Sequence, residues 1–379
     1  MSDIQQSPAA GTSVAGRPSV PAVRLAGAPQ TGTVTYQDVF VRDNFGDTGV
    51  IPSTGVPYRS PDIIPYQEQL LTFTEAISSY PQHDIGLPFV QSGTNNIYVR
   101  AINDYPGVES GSVRLYYSQA SLFLQPSQWV NNQVFTAAVT SPPTPGISEV
   151  PFVNQDGDTS FNPGDILLTQ EAFSLASFPS NDHYCFIAVV NTPNTTVTIP
   201  TSFTNNAAFV QWVQNTPAVA WRNVTKVPAT PGAVTQTFVF GNSDSAAGEF
   251  LFQVEGKHMP ANTTVSVTCT DQGCPISQTL TLQAPDGLGH QMASFEQVVP
   301  ANFSSVITAI ATPPAGEQFD QNAKLHFHEY QFPPANMTDL HLEVGRFYRV
   351  ARTAPDGTST VVSQFLIQIG ACTLEFVAD

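Results

Sequence analysis

From Thr35 to the C-terminus the chain is a succession of short runs rich in β-branched and aromatic residues, broken by Pro, Gly, Asn and Asp. That texture is the one expected of antiparallel strands and turns. In 112–117 the alternation is regular: Val113, Leu115 and Tyr117 share one face, Ser112, Arg114 and Tyr116 the other, as in a strand with one side on a core. The run 183–190 is apolar nearly throughout and reads as a central strand, and 96–102 and 133–139 are further strands. In 201–214, Phe203, Ala207, Phe209, Val210 and Val213 recur at helical spacing, which predicts one short helix. A Pro/Gly linker at 228–233 follows. Beyond it, strand-like runs at 235–240, 249–254, 264–270, 304–311, 323–330, 346–353 and 358–369 have the number and spacing of an immunoglobulin-like sandwich. Asp356-Gly357 between the last two is a hairpin signal. Residues 1–34 are Ser, Pro, Ala, Gly, Thr and Gln with hardly a large apolar group, too little to offset the entropy of ordering. The expectation is an all-β chain of two antiparallel β-sandwiches: a flexible arm at 1–34, a first domain with long loops at 35–227, and a second, immunoglobulin-like domain at 234–379.

Composition narrows the class of partner. Of 379 residues only 11% are charged and 32 are proline, which excludes a coiled coil or helical bundle. With 13 Lys+Arg against 30 Asp+Glu the formal charge is −17, so phosphate backbones and anionic headgroups are repelled. No stretch reaches the ~18 apolar residues of a membrane span, and the first thirty residues lack the apolar core of a classical secretory signal. The compartment stays open: cytoplasmic, or exported by a non-classical route.

Seven phrases, in order along the first half, carry a family resemblance: Asp38-Val-Phe-Val-Arg-Asp-Asn-Phe-Gly-Asp-Thr-Gly49, Arg59-Ser-Pro-Asp-Ile63, Asn95-Asn-Ile-Tyr-Val-Arg100, Leu115-Tyr-Tyr-Ser118, the turn 126–129, His183-Tyr-Cys-Phe-Ile-Ala188 and Ala220-Trp-Arg-Asn-Val224. Together they resemble a bacterial family of uncharacterised proteins built from immunoglobulin-like domains of the CARDB, or cell-adhesion-related, kind. The resemblance covers 36–227, and the remainder matches by texture. Two places depart from it. The acidic loop 103–109 stands where related proteins have basic or small residues, and 214–219 replaces Asn-rich text. Loop-borne binding properties are therefore not carried over. The resemblance implies sandwich modules without known catalysis and supplies no functional residues.

Candidate chemistry is sparse. His326 and His328 alternate on one strand and project from the same face, so they could hold a divalent metal with a third ligand from His341, Glu343 or His290. Ordinary strand histidines fit the same pattern. The loop 154–165 offers Asp156, Asp158 and Asp165 at calcium-like spacing, and 43–47 is a similar, shorter loop. Thr159 stands where the sharp turn of an EF-hand needs Gly, and turn chemistry explains the same residues. Cys269 and Cys274, four residues apart at a strand end, could close a disulfide in an oxidising setting. Cys185 reads as a small buried hydrophobe, with adjacent His183 unable to serve it as a catalytic base without an orienting third group. Trp129, Trp212 and Trp221 read as core anchors, so a carbohydrate platform is unsupported. There is no G-x-S-x-G, phosphate loop or H-E-x-x-H. These observations favour a non-catalytic binding or assembly protein with a protein partner or further copies of itself, and no cofactor. Two alternatives stand beside it: a secreted effector or toxin-like cargo loaded by its N-terminal arm, and a metal-binding enzyme centred on His326 and His328.

Overall fold

The computed structural model describes residues 34–90, 92–119, 124–140, 143–177, 184–204, 206–228, 232–334, 337–353 and 359–377. The expected arm, except Val34, lies outside the described residues, as do His183 and the Asp356-Gly357 turn. The chain is all-β, with several sheets and a few short helices.

The first half runs β1 (Val34–Thr35), β2 (Val39–Phe40), β3 (Val50–Ile51), β4 (Ile63–Pro65), α1 (Phe73–Ser79), β5 (Ser92–Asn103) and β6 (Ser112–Gln119). It continues with β7 (Gln133–Thr136), β8 (Val139–Thr140), β9 (Pro143–Thr144), β10 (Glu149–Val153), β11 (Ile166–Thr169), β12 (Phe173–Ser177), β13 (Tyr184–Asn191), α2 (Asn206–Gln214) and β14 (Val219–Arg222). The registers show that several of these are pieces of longer strands. β13 takes one side of β6 along its whole length, so β7 and β10 share the other, with Val134 opposite Leu115 and Val150 opposite Val113. They form one strand line broken by an excursion that carries the β8–β9 pair. β11 and β12 line β5 in the same way, and β2 and β4 its other side. The result is one antiparallel sheet in the order β2/β4, β5, β11/β12, β7/β10, β6, β13, β14.

This sheet curls until its ends meet. Arg59 bridges Arg222, Ser60 N–H donates to Trp221 O (3.1 Å) and Asn223 N–H to Tyr58 O (2.9 Å), so the stretch entering β4 is stitched to β14. Where two facing sheets were expected for 35–227, the described strands form one curled sheet whose two edges are joined by these bonds. Strand order follows long-range pairing, which local alternation does not encode. Inside lie Tyr58, Trp129, Phe173, Phe186 and Trp221, all at most 1% exposed. An ion triad clamps the sheet: Asp62 accepts from Arg42 (2.7 Å) and Arg100 (2.9 Å), and Arg100 also donates to Ala76 O of α1 (2.6 Å). Burial alone would raise the Asp62 carboxyl, but the two guanidiniums hold it below its usual range. The expected helix is α2; α1 was not foreseen, because its single buried pair, Ala76 and Ser79, makes no apolar stripe, and Thr72 starts it by capping Glu75 N–H.

The second half comprises β15 (Val224–Pro228), β16 (Val234–Asn242), β17 (Gly248–Lys257), β18 (Thr263–Cys269), β19 (Ile276–Leu282), β20 (His290–Val299) and β21 (Phe303–Thr312). β22 (Lys324–Gln331), α3 (Asp339–Val344), β23 (Arg346–Thr353) and β24 (Ser359–Val377) complete it. One sheet has the order β16-β21-β18-β19, the other β15-β24-β22-β17-β20. They face each other across a shared apolar core, where Phe238 meets Phe327 (5.1 Å) and Phe240 meets Phe252 (5.6 Å). β15 runs parallel to the end of β24, so the residues directly after β14 already belong to the second sheet, ahead of the 228–233 linker. β24 is 19 residues long because it serves three neighbours in turn, β23, β22 and β15. The β23–β24 hairpin folds over the outer face of β17 and β22, where Leu251, Tyr330, Val350 and Leu366 cluster.

One core position breaks the apolar rule. Glu329, fully buried on β22, has neither carboxylate oxygen in a hydrogen bond among the described residues. Burial pushes its carboxyl well above the usual range, and the nearby Gly241 N–H only partly offsets this. The folded protein therefore holds this proton to higher pH than the unfolded chain, so the stability the group contributes is full below about pH 4.3 and is lost as pH rises. Glu329→Gln is expected to be the more stable protein at pH 7.5, by about 1–3 kcal/mol in urea denaturation, and to converge with wild type at pH 4; parallel pH profiles would refute the assignment.

Candidate interaction surface

Side chains on the six-stranded sheet alternate between the core and an outer face. On that outer face Glu255, His326 and Thr373 lie in one row across β17, β22 and β24, and Gln253, His328 and Ala371 in the next. Such a row of polar groups would ordinarily face water, yet His326 and His328 are only 1% and 6% exposed. The first half covers them. Arg59 donates to His326 Nδ1 (2.9 Å), which also takes the Thr373 hydroxyl (2.9 Å). Around His328 Nδ1 stand Gln368 Nε2 (3.1 Å) and Tyr58 Oη (3.3 Å). A ring nitrogen that accepts carries no proton, so both rings are neutral with the N–H on Nε2. Burial, with Arg59 beside His326, keeps both imidazoles below their usual range. Glu255 sits 3.7 Å from His328 Nε2 and 2.6 Å from His290 Nδ1. Burial alone would raise this carboxyl, but the histidines hold it well below its usual range. Backbone contacts finish the seam: Thr373 N–H donates to Asn223 O (3.1 Å), and the Asn223 amide to Ala371 O.

The structure thus brings His326, His328 and His290 to one seam and leaves His341 elsewhere, on α3, where its Nδ1 accepts the Thr338 N–H (3.1 Å). The Glu343 side chain is outside the described residues. Among the described residues no three His, Cys, Asp or Glu side chains are grouped so as to hold a metal ion. In the 154–165 loop, Asp156 and Asp158 are exposed, their N–H groups donating to Asn154 Oδ1 (both 3.0 Å), and Asp165 caps the Asn162 N–H (2.7 Å). Asp47 likewise caps Asp43 and Gly49, while Ser53 donates to Asp43. The Asn154 side chain and the Asp165 and Asp47 carboxylates thus hold turns, while Asp156 and Asp158 take part through their backbone. Cys269 and Cys274 are buried in the second core without a disulfide between them, and Cys185 is buried in the first. Trp129, Trp212 and Trp221 are all buried.

The feature that sequence reasoning passed over is the outer face of the four-stranded sheet. Its inward residues, such as Phe238, Val265, Val267, Ile307 and Ala309, fill the core. Its outward residues form a grid fixed by register: Thr237, Thr308, Thr268 and Ser277 in one row; Thr235, Ile310, Ser266 and Thr279 in the next; then Thr312, Thr264 and Thr281. Val239 and Val306 extend it. None of these is buried, and none is charged, in a chain with 30 acidic residues. The signal was present in Thr-Thr-Val-Ser-Val-Thr at 263–268, where hydroxyl and apolar residues alternate.

No protein-family model matches the chain, the CARDB-type family included, and no curated protein matches it. Among solved structures it is similar to the collagen adhesin CNA from S. aureus, with 7% identity over 75% of this chain and 91% of that one, at a TM-score of 0.17. It is also similar to the CupB6 tip adhesin from Pseudomonas aeruginosa, with 7% identity, 72% and 92% coverage and a TM-score of 0.13. Likeness at that level carries no argument about this chain. No helix among the described residues is long and apolar enough to cross a membrane.

The seam has a defined response to acid. The unfolded chain takes up protons on these histidines below about pH 6.5, whereas the folded seam keeps them neutral, so their stability is present above that pH and lost as pH falls. Glu255 acts with the same sign at lower pH, its contribution disappearing as pH drops below about 4.3. Between pH 6.5 and 5, His326→Asn is expected to lose less stability than wild type as pH falls, by up to one proton, about 1.4 kcal/mol per pH unit, in urea denaturation at stepped pH; an unaltered slope would contradict a neutral His326 in the folded seam.

Proposed function

We propose that this chain is a non-catalytic binding protein whose second half, read as an immunoglobulin-like sandwich, associates with a second copy through the outer face of β16, β21, β18 and β19. One observation carries the reading: the open face of that sheet is a regular array of Thr, Ser, Val and Ile without a single charge. Two copies each bearing −17 repel wherever their charges meet, and a face free of charge is where they can approach with least electrostatic and desolvation cost. Strand hydroxyls can donate and accept, so two such faces satisfy one another in either direction. β-branched side chains on strands are stiff, which lowers the entropy lost on contact.

Size sets the strength. Four strands about 4.8 Å apart and some 25 Å long cover roughly 450–500 Å² per partner, against about 800 Å² in a standard stable interface. The association is weak for a single pair and suited to repeated contacts in an assembly. The reading as non-catalytic is supported by the uses of candidate groups: the histidines and Glu255 hold the seam, and in the 154–165 loop Asp165 holds a turn.

Sedimentation equilibrium from 10 μM to 1 mM tests this reading. A concentration-dependent dimer is expected, strengthened by 0.5 M salt because screening relieves the net repulsion. The double variant Thr308→Lys, Ile310→Lys, which alters only exposed or half-buried outward positions, is expected to remain monomeric. A wild type that stays monomeric throughout, or a variant that associates equally well, would overturn it.

A further inference from the structure

The seam between the halves is held by groups whose hydrogen bonding a proton reverses. We infer that mild acid opens it: as His326 and His328 take up protons, the two halves part about Asn223 while each keeps its own core.

The contact at His326 cannot survive a proton. Its Nδ1 accepts from Arg59 (2.9 Å). A protonated ring offers only donors, and a guanidinium has no acceptor and keeps its charge. The other groups around the ring do not compensate: the Thr373 hydroxyl (2.9 Å) is neutral, and Glu255 and Lys257 of β17 act on the ring with opposite sign. His328, with its ring centroid 6.1 Å away, adds a second positive charge when it titrates. Around it stand Tyr58 (3.3 Å), Gln368 (3.1 Å), the stacked ring of Tyr330 (5.4 Å) and Glu255, whose carboxylate is 3.7 Å from Nε2. Glu255 already serves His290 (2.6 Å), and it eases a charge on His328 more than one on His326. His326 against Arg59 is therefore the stronger lever.

The same acid leaves both cores standing. Asp43 in the first half is 1% exposed, and burial, with Asp47 alongside, pushes its carboxyl well above the usual range. Glu329 in the second half behaves alike. A carboxyl that binds its proton more tightly folded than unfolded loses nothing as pH falls. Asp62, held below its usual range, contributes fully down to about pH 3.9. Titration between pH 6.5 and 5 thus bears on the seam. With one proton taken up at each ring, the open state gains up to about a hundredfold per pH unit, or about a thousandfold over that interval. The chain permits parting there: β14 ends at Arg222 and β15 begins at Val224 in the second sheet, leaving Asn223 as the covalent link. Elsewhere the halves meet through α2, which packs on β24 and α3, and the apolar residues exchanged between the cores, Ala207 and Ala371, are small.

Small-angle X-ray scattering of the dilute full chain, with far-UV circular dichroism on the same samples, tests this between pH 7.5 and 5.0. The radius of gyration is expected to rise with a midpoint below about pH 6.5 while the dichroism is unchanged. The double variant His326→Asn, His328→Asn, in which amide oxygens replace the accepting nitrogens, is expected to stay closed over the same range, and Glu329→Gln, altered in a core, to open as wild type does. If the double variant is not folded at pH 7.5, His326→Asn alone takes its place, with its opening displaced to lower pH. A radius constant down to pH 5.0, expansion that coincides with loss of dichroism, or a midpoint unaltered in the folded histidine variants or moved by Glu329→Gln overturns the inference.

Discussion

Arg59 and Tyr58 reach from the first half onto the sheet face that bears His326 and His328, burying both rings and bonding their Nδ1 atoms, and the architecture is arranged around that contact. A hydrogen bond exchanged for water contributes only about 1 kcal/mol, but a polar group buried without a partner costs more than that. The seam therefore specifies more than it stabilises. Tyr58 and Arg59 fit only where Gln368, Thr373 and the two histidines present matching atoms, which fixes how the halves dock. Covalent continuity works in the same direction: β14 ends the first sheet at Arg222, and two residues later β15 has joined the second, parallel to β24.

That docking decides which surfaces are left. The six-stranded sheet has one face on the core and the other under the first half and the β23–β24 hairpin. The four-stranded sheet has one face on the same core, and its other face is open. The open face is the one composed of uncharged hydroxyl and β-branched residues, while the ionisable groups of the covered face lie inside the seam. The six-stranded sheet read in isolation would offer its His- and Glu-bearing face as a candidate site, although the first half covers it.

Much of this was legible in the sequence, in unequal measure. Alternation placed Val113 and Leu115 on a core and His326 and His328 on a shared face, because the strand period of two is local information. α2 was readable because its apolar stripe is long enough to show a period. The broken strand lines β7/β10 and β11/β12 were not, since each piece is only four or five residues and only the shared neighbours β5 and β6 reveal the line. Asp62 with Arg42 and Arg100 was equally hidden, its partners lying 20 and 38 residues away. What surrounds His326 and His328 comes from Arg59 and Tyr58, some 270 residues earlier, beyond any spacing rule. The hydroxyl grid lay in plain view, but single Thr and Ser positions gain meaning only when registers set four strands side by side.

Association of copies through the open face of β16, β21, β18 and β19 is read most directly by hydrogen–deuterium exchange of the native protein, compared between dilute and concentrated samples. Slower exchange on concentration is expected in β16, β18 and β21, with β20, β22 and the first-half strands unchanged. Protection confined to the first half, or none in the four-stranded sheet at concentrations where association is detected, would contradict it.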